Sequence, residues 1–225
     1  MGCDQMLLLI LLALASYTHG AENRSVLIYG DSVSAGYGMT QPESWPALLG
    51  ADLAPSHPEL RLANSSVSGE TTTGGLNRFT KALEIHAPGL VVLELGGNDG
   101  LRGYPISSIQ ANIGKMIALC QAQNIEVILI GMVLPPNYGR RYTEAFEGLY
   151  RALAEQYELA GFLPYLLNGI NTDPNLIQRD GIHPTVAAQP LIKDQIKPFI
   201  LRWLMTGLNQ ASIKPAALYA PANPA

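Results

Sequence analysis

The feature that most constrains the fold of this chain is an alternation. Short runs rich in Val, Ile and Leu take turns with longer stretches in which apolar residues recur every three or four positions. Such runs read as strands, the periodic stretches between them read as amphipathic helices, and strands joined through helices lie parallel in one sheet. Strands are expected over 25–29, 60–64, 90–95, 125–131 and 161–166. The third and fourth are near-continuous apolar runs, as suits a sheet covered on both faces. Ile106, Ile109, Ile113, Met116 and Ile117 share one helical face, as do Tyr142, Phe146, Leu149, Tyr150 and Leu153. A last helix is expected over 186–204, with Pro190 and Pro198 blurring its ends.

The chain has 225 residues and a formal net charge of −4. Three segments are expected. Residues 1–20 carry an uncharged apolar stretch from Leu7 to Ala15, followed by Ser16 to Gly20 and then the polar Ala21-Glu22-Asn23. That pattern reads as a signal peptide, although the usual basic residues before the apolar stretch are missing. It is short for a membrane-spanning helix, which needs roughly 20 apolar residues, so no stable membrane anchor is expected. Cleavage after Gly20 or after Ala15 fits, and the protein is expected to be exported, periplasmic or secreted. Residues 21–206 suit one domain. Residues 207–225 hold Pro215, Pro221 and Pro224 with little periodicity and are expected to form a loosely ordered tail. Loss of Cys3 with the leader leaves Cys120 alone, without an intramolecular disulfide and in an apolar run that suits burial. Arg140-Arg141 is the one basic cluster, too little for a nucleic-acid surface.

Four blocks concentrate polar residues just past these strands. Gly30-Asp31-Ser32 follows the first, Gly69 lies in a turn after the second, Gly97-Asn98-Asp99 follows the third, and Asp180-Gly181-Ile182-His183 comes after the fifth. In open parallel sheets, ligand sites form beyond the carboxyl ends of the strands, so blocks far apart in sequence converge on one rim. Each block also has an ordinary use. Ser32 could serve as a helix N-cap, Gly69 and Asp180-Gly181 as turn residues, and Asn98 as a loop residue. A serine hydroxyl that acts as a nucleophile needs a base, a group to orient the base, and donors for the oxyanion.

The stretches GDSVSAGYGM, WPALL, NSSVSGETTTGGL, VVLELGGNDGLRG, LPPNYGRRYTEAF and DGIHPTVAAQP resemble the SGNH hydrolases of the GDSL family, with GDSV where the family name has GDSL. The resemblance spans most of 25–200. It implies a flavodoxin-like three-layer α/β/α sandwich around a mostly parallel five-stranded sheet. It implies Ser32 as nucleophile, His183 as base and Asp180 as its orienting acid, with Ser32, Gly69 and Asn98 forming the oxyanion hole and Asp99 left a structural role. It also implies activity on aryl esters, fatty acyl thioesters and lysophospholipids, with the acyl site flanked by Leu101, Tyr104, Leu134 and Pro135. His57 and His86 lie beside prolines in polar connections, which leaves His183 the best base.

Asp31, Asp99 and Asp180 lack the His and Cys spacing of a zinc centre, and Walker and dinucleotide motifs are missing, so no metal or cofactor is expected. A carbohydrate O-deacetylase of the same fold and a catalytically silent binding protein are the competing expectations. The oligomeric state is open, and a monomer is compatible.

Overall fold

The computed structural model describes residues 24–212. The expected signal segment, and the expected tail beyond residue 212, lie outside them. Five strands form one sheet: β1 (Ser25–Gly30), β2 (Arg61–Asn64), β3 (Leu90–Glu94), β4 (Glu126–Ile130) and β5 (Gly161–Leu163). Their order is β2-β1-β3-β4-β5, and every neighbouring pair is parallel. The fifth strand is shorter than the expected 161–166. Pro164 follows Leu163 directly, and proline has no N–H to continue a ladder.

Seven α-helices lie among the described residues: α1 (Ser32–Ala35), α2 (Trp45–Leu53), α3 (Thr72–His86), α4 (Gly97–Leu101), α5 (Ile106–Gln121), α6 (Arg140–Gln156) and α7 (Gln189–Ser212). Side-chain alternation along the strands divides the core in two. Leu27, Tyr29, Val91, Leu93, Val127 and Leu129 face α3, α5 and α6. Val26, Ile28, Leu90, Val92, Ile128 and Ile130 face α2 and α7. Most of each expected helical face is buried: Ile109, Ile113, Met116 and Ile117 on α5, and Phe146, Leu149, Tyr150 and Leu153 on α6. Full burial of such side chains contributes about 1.5–3 kcal/mol each, which is what holds a charge-poor sheet between two helical layers.

The expected last helix splits. A 3-10 turn covers Val186–Ala188, and α7 then passes through Pro198 and runs on to Ser212, six residues beyond the expected edge of the domain. Cys120 is fully buried, and burial pushes its thiol up to about 12, so it packs as an inert apolar group.

Candidate active site

β1 ends in the middle of the sheet, and the chain turns at once into α1. The helix cap at this turn is Asp31, whose Oδ1 accepts the Val33 N–H at 3.1 Å. Ser32 is therefore the first helical residue and leaves the capping task to its neighbour. Its hydroxyl lies 2.8 Å from Nε2 of His183, across 151 positions of sequence. The other ring nitrogen, Nδ1, lies 2.7 Å from Oδ2 of Asp180.

Asp180 and His183 sit on an irregular connection between β5 and α7. Oδ1 of Asp180 accepts the backbone N–H groups of Ile182 at 2.9 Å and His183 at 3.0 Å. Partial burial pushes the Asp180 carboxyl up, but these two backbone bonds, with the His183 ring bond and charge, outweigh it and bring it down to about 2. An ionised Asp180 cannot donate, so Nδ1 carries the proton that it accepts, and Nε2 faces Ser32 as an acceptor.

The turn at Gly69 is a tight one, with the Glu70 N–H bonded to the Val67 carbonyl at 3.1 Å and Gly69 at φ 79°. Glycine is required here by the left-handed backbone. A Cβ at Gly69 would meet nothing within 4 Å, so crowding by the protein itself is not the reason. The turn is pinned to β1 by the Val67 N–H on the Gly30 carbonyl at 3.0 Å. Asp99 holds the next piece: its carboxylate takes the Thr72 N–H at 2.8 Å and the Thr72 hydroxyl at 2.7 Å, which fastens the start of α3 to α4. Asn98 lies on α4, and its Nδ2 donates to Oδ2 of Asp31 at 3.2 Å, which brings the carboxamide to the Ser32 corner.

Glu94, the last residue of β3, is a buried acid that the sequence reading did not single out. It accepts the Ser34 hydroxyl at 2.7 Å and the Asp31 N–H at 3.3 Å. Burial, reinforced by the neighbouring Asp31 charge, pushes its carboxyl well above the glutamate range. Burial likewise raises Asp31 to about 6, against the opposing pull of the Val33 N–H, the His183 charge and the Asn98 amide. A lone acid at the end of an apolar strand run was the signal that could have found it.

These groups line a cavity of about 520 Å³. Ser32, Asn98 and His183 open into it, as do the expected Leu101, Leu134 and Pro135. Part of the lining was not anticipated: Tyr165, Leu166, Leu167 and Ile177 reach it from the connection after β5. Gly69 and Tyr104 are not among its lining residues. Tyr104 is 42 % exposed, because α4 closes at Gly103 in a turn that bonds the Tyr104 N–H back to the Asp99 carbonyl at 3.0 Å and directs the chain outward. Among the described residues, no three His, Cys, Asp or Glu side chains are grouped to hold a metal ion.

The GDSL-like Lipase/Acylhydrolase family model matches residues 28–190. The chain is 43% identical to Esterase TesA of Pseudomonas aeruginosa over 187 residues, 83% of this chain and 92% of that one. It is 39% identical over 180 residues to Thioesterase 1/protease 1/lysophospholipase L1 of Escherichia coli K12, covering 78% of this chain and 85% of that one. The crystal structure of the psychrotrophic esterase EstA from Pseudoalteromonas sp., inhibited by monoethylphosphonate, superposes with a TM-score of 0.77 at 37% identity, covering 81% of this chain and all of that one. Fold, site geometry and relatives agree, and the chain belongs to the GDSL-like lipase/acylhydrolase family of ester hydrolases.

Proposed function

We propose that this esterase is exported and cleaves acyl esters and thioesters through a covalent acyl-Ser32 intermediate. The observation that carries the reading is the continuous Ser32–His183–Asp180 hydrogen-bond chain, 2.8 and 2.7 Å, on the edge of a largely apolar cavity. Nε2 of His183 takes the Ser32 proton as Oγ attacks the substrate carbonyl, and Asp180 stabilises the imidazolium that forms. The oxyanion is bound by the backbone N–H of Ser32 and the amide of Asn98, both of which line the cavity, and the Gly69 N–H, on a turn outside that lining, is the third donor that the family resemblance implies. Collapse of the tetrahedral species breaks the bond to the alcohol or thiol, which leaves with the proton from His183. Water then attacks the acyl carbonyl and gives its proton to His183, and collapse of the second tetrahedral species breaks the ester bond to Ser32, whose Oγ takes that proton back as the acid leaves.

Aryl esters, fatty acyl thioesters and lysophospholipids are the substrate classes that suit the site. Leu101, Leu134, Pro135, Leu166, Leu167 and Ile177 in the cavity lining offer apolar surface to an acyl chain. The similar esterase EstA is inhibited by monoethylphosphonate, a tetrahedral phosphorus compound, which is in keeping with a tetrahedral intermediate. Export rests on the apolar stretch from Leu7 to Ala15, and no described helix is long and apolar enough to cross a membrane. N-terminal sequencing of the protein recovered from the periplasm or the medium tests export, and a protein retained in the cytoplasm with residues 1–20 intact rejects it.

The test of the chemistry is Ser32→Ala against p-nitrophenyl esters of increasing chain length, with fluorophosphonate labelling alongside. Turnover and labelling are both expected to vanish while the melting temperature holds. Parent-rate hydrolysis by Ser32→Ala rejects the mechanism, and activity confined to acetyl esters of glycans turns the reading to a deacetylase.

A further inference from the structure

We propose that Gln178 is a positioning residue for this reaction: its carboxamide ties the loop that carries Asp180 and His183 to the chain segment that follows Ser32, and so sets the separation of base and nucleophile. The inference rests on the Ser32–His183 reading above.

Between Leu163 and Val186 no residue belongs to a helix or a strand. One isolated antiparallel bridge, Ile177 to Pro184, folds the loop back on itself. The bonds from Asp180 to Ile182 N, His183 N and His183 Nδ1 all lie within this loop. They fix the acid against the base, but none of these three bonds reaches the segment that carries Ser32. A base that drifts by about 1 Å forfeits much of its rate, so an anchor is needed.

Gln178 provides it from both its backbone and its side chain. Its N–H donates to the His183 carbonyl at 2.7 Å. Its Nε2 donates both hydrogens, one to the Pro184 carbonyl at 3.0 Å and one to the Tyr37 carbonyl at 2.9 Å. Both partners are carbonyl oxygens, which only the nitrogen end of the carboxamide can satisfy. Tyr37 is itself bound to the nucleophile, its N–H donating to the Ser32 carbonyl at 3.0 Å. The path from Ser32 to His183 thus runs through two residues, the backbone of Tyr37 and the side chain and N–H of Gln178. Two further features support it. The Tyr37 ring lies against the His183 imidazole, centroids 4.4 Å apart at 36°. Gly38 follows at φ 79°, where a Cβ would fall 2.7 Å from Oε1 of Gln178, so only glycine lets this backbone approach the carboxamide.

The experiment compares parent and Gln178→Leu, as full chains, in p-nitrophenyl ester hydrolysis across pH and in fluorophosphonate labelling. Leucine keeps the bulk and removes both donors. The expected result is a plateau kcat lower by roughly ten- to hundredfold with KM within about twofold, and a labelling rate lower by the same factor. The acid limb of the pH profile keeps its midpoint, because Asp180 travels with His183. A loop residue that mattered only for folding would lower the melting temperature and leave the kcat of the folded fraction at the parent value, and that result overturns the proposal. So does a displaced acid limb with an unchanged plateau, since Gln178 would then act on the ring's protonation and not on its place. Should Gln178→Leu fail to fold, Gln178→Met keeps the length without the donors and carries the same expectations. Loss of activity in Ser32→Ala together with parent kinetics in Gln178→Leu removes the tether alone, whereas activity in Ser32→Ala removes the mechanism beneath it.

Discussion

The two halves of the catalytic hydrogen-bond chain are held by different physics. Ser32 stands at the end of β1, a strand whose residues from Val26 to Tyr29 are fully buried and whose residues from Val26 to Ile28 are paired on both sides, by β2 and by β3. Asp180 and His183 stand on a stretch of more than twenty residues without regular structure; Leu166, Leu167 and Ile170 pack into the core near its start, whereas hydrogen bonds hold the part from Gln178 to His183. Where apolar packing dominates, lost volume is the costly change, and where hydrogen bonds set the geometry around Asp180 and His183, lost donors and acceptors are. Substitutions on the strand side should therefore separate stability from chemistry in one direction, and substitutions on the loop side in the other.

The largest effect is expected from His183→Ala, which removes the base and should lower kcat by about 10⁴ or more while shifting the melting temperature little. Steady-state kinetics with a parallel melting curve would show it. A comparable loss of stability would mean that the loop is anchored through the imidazole and would blur the contrast. Asp180→Asn should approach the same loss in kcat, since the amide cannot hold the ring as the carboxylate does. Asp99→Asn is its counterpart in the packed region. It weakens the bond to Thr72 and should show mainly in the melting temperature. Equal kinetic damage in the two folded variants would make Asp99 the acid.

Asn98→Ala should lower kcat by roughly 10²–10³ with a smaller effect on KM, if its amide binds charge that develops only after attack. Ile128→Ala, in the middle of β4 and fully buried, should cost about 2–5 kcal/mol of stability while kcat per folded molecule stays near the parent value. A large kinetic defect in that variant would show that the nucleophile's corner is not independent of sheet packing.

The smallest effect concerns the buried acids under Ser32. Glu94 has a raised carboxyl in the folded state, so its contribution to stability is full at low pH and is lost as pH rises beyond the ordinary glutamate range. Glu94→Gln has no proton to lose. Its melting temperature should gain on the parent's as pH is raised from about 5 to 9, where the charged form is penalised by burial. A constant difference across that range would mean that Glu94 does not titrate there. Asp180 has the opposite sign: its stabilising bonds are present above the ordinary aspartate range and are lost only as pH falls toward 2.

Much of this was legible in the chain. The apolar runs near Ile28, Val92 and Ile128 gave the strands, because burial on both faces leaves little choice of residue. The blocks around Ser32, Asn98 and His183 pointed to one rim, because a parallel sheet presents all its strand ends together. Tyr104 was expected beside the acyl site and lies on the surface, since a neighbour in sequence is not a neighbour in space once α4 closes at Gly103. The strand expected to reach residue 166 stops at Leu163, which releases Tyr165 and Leu166 to build a wall of the cavity.

Local pattern therefore determined the strands, α5, α6 and most of α7, and which residue types could do chemistry, for these depend on periods of two to four residues and on short motifs. Tertiary structure alone decided that Glu94 bonds the Ser34 hydroxyl next to the nucleophile's turn, that Leu167 and Ile177 line the same cavity as Leu134, and that Gln178 reaches the Tyr37 carbonyl. Gln178 and Tyr37 are 141 positions apart, and no local period records such a pair. The contact exists because the sheet order places the end of β1 where the irregular chain after β5 folds back over it.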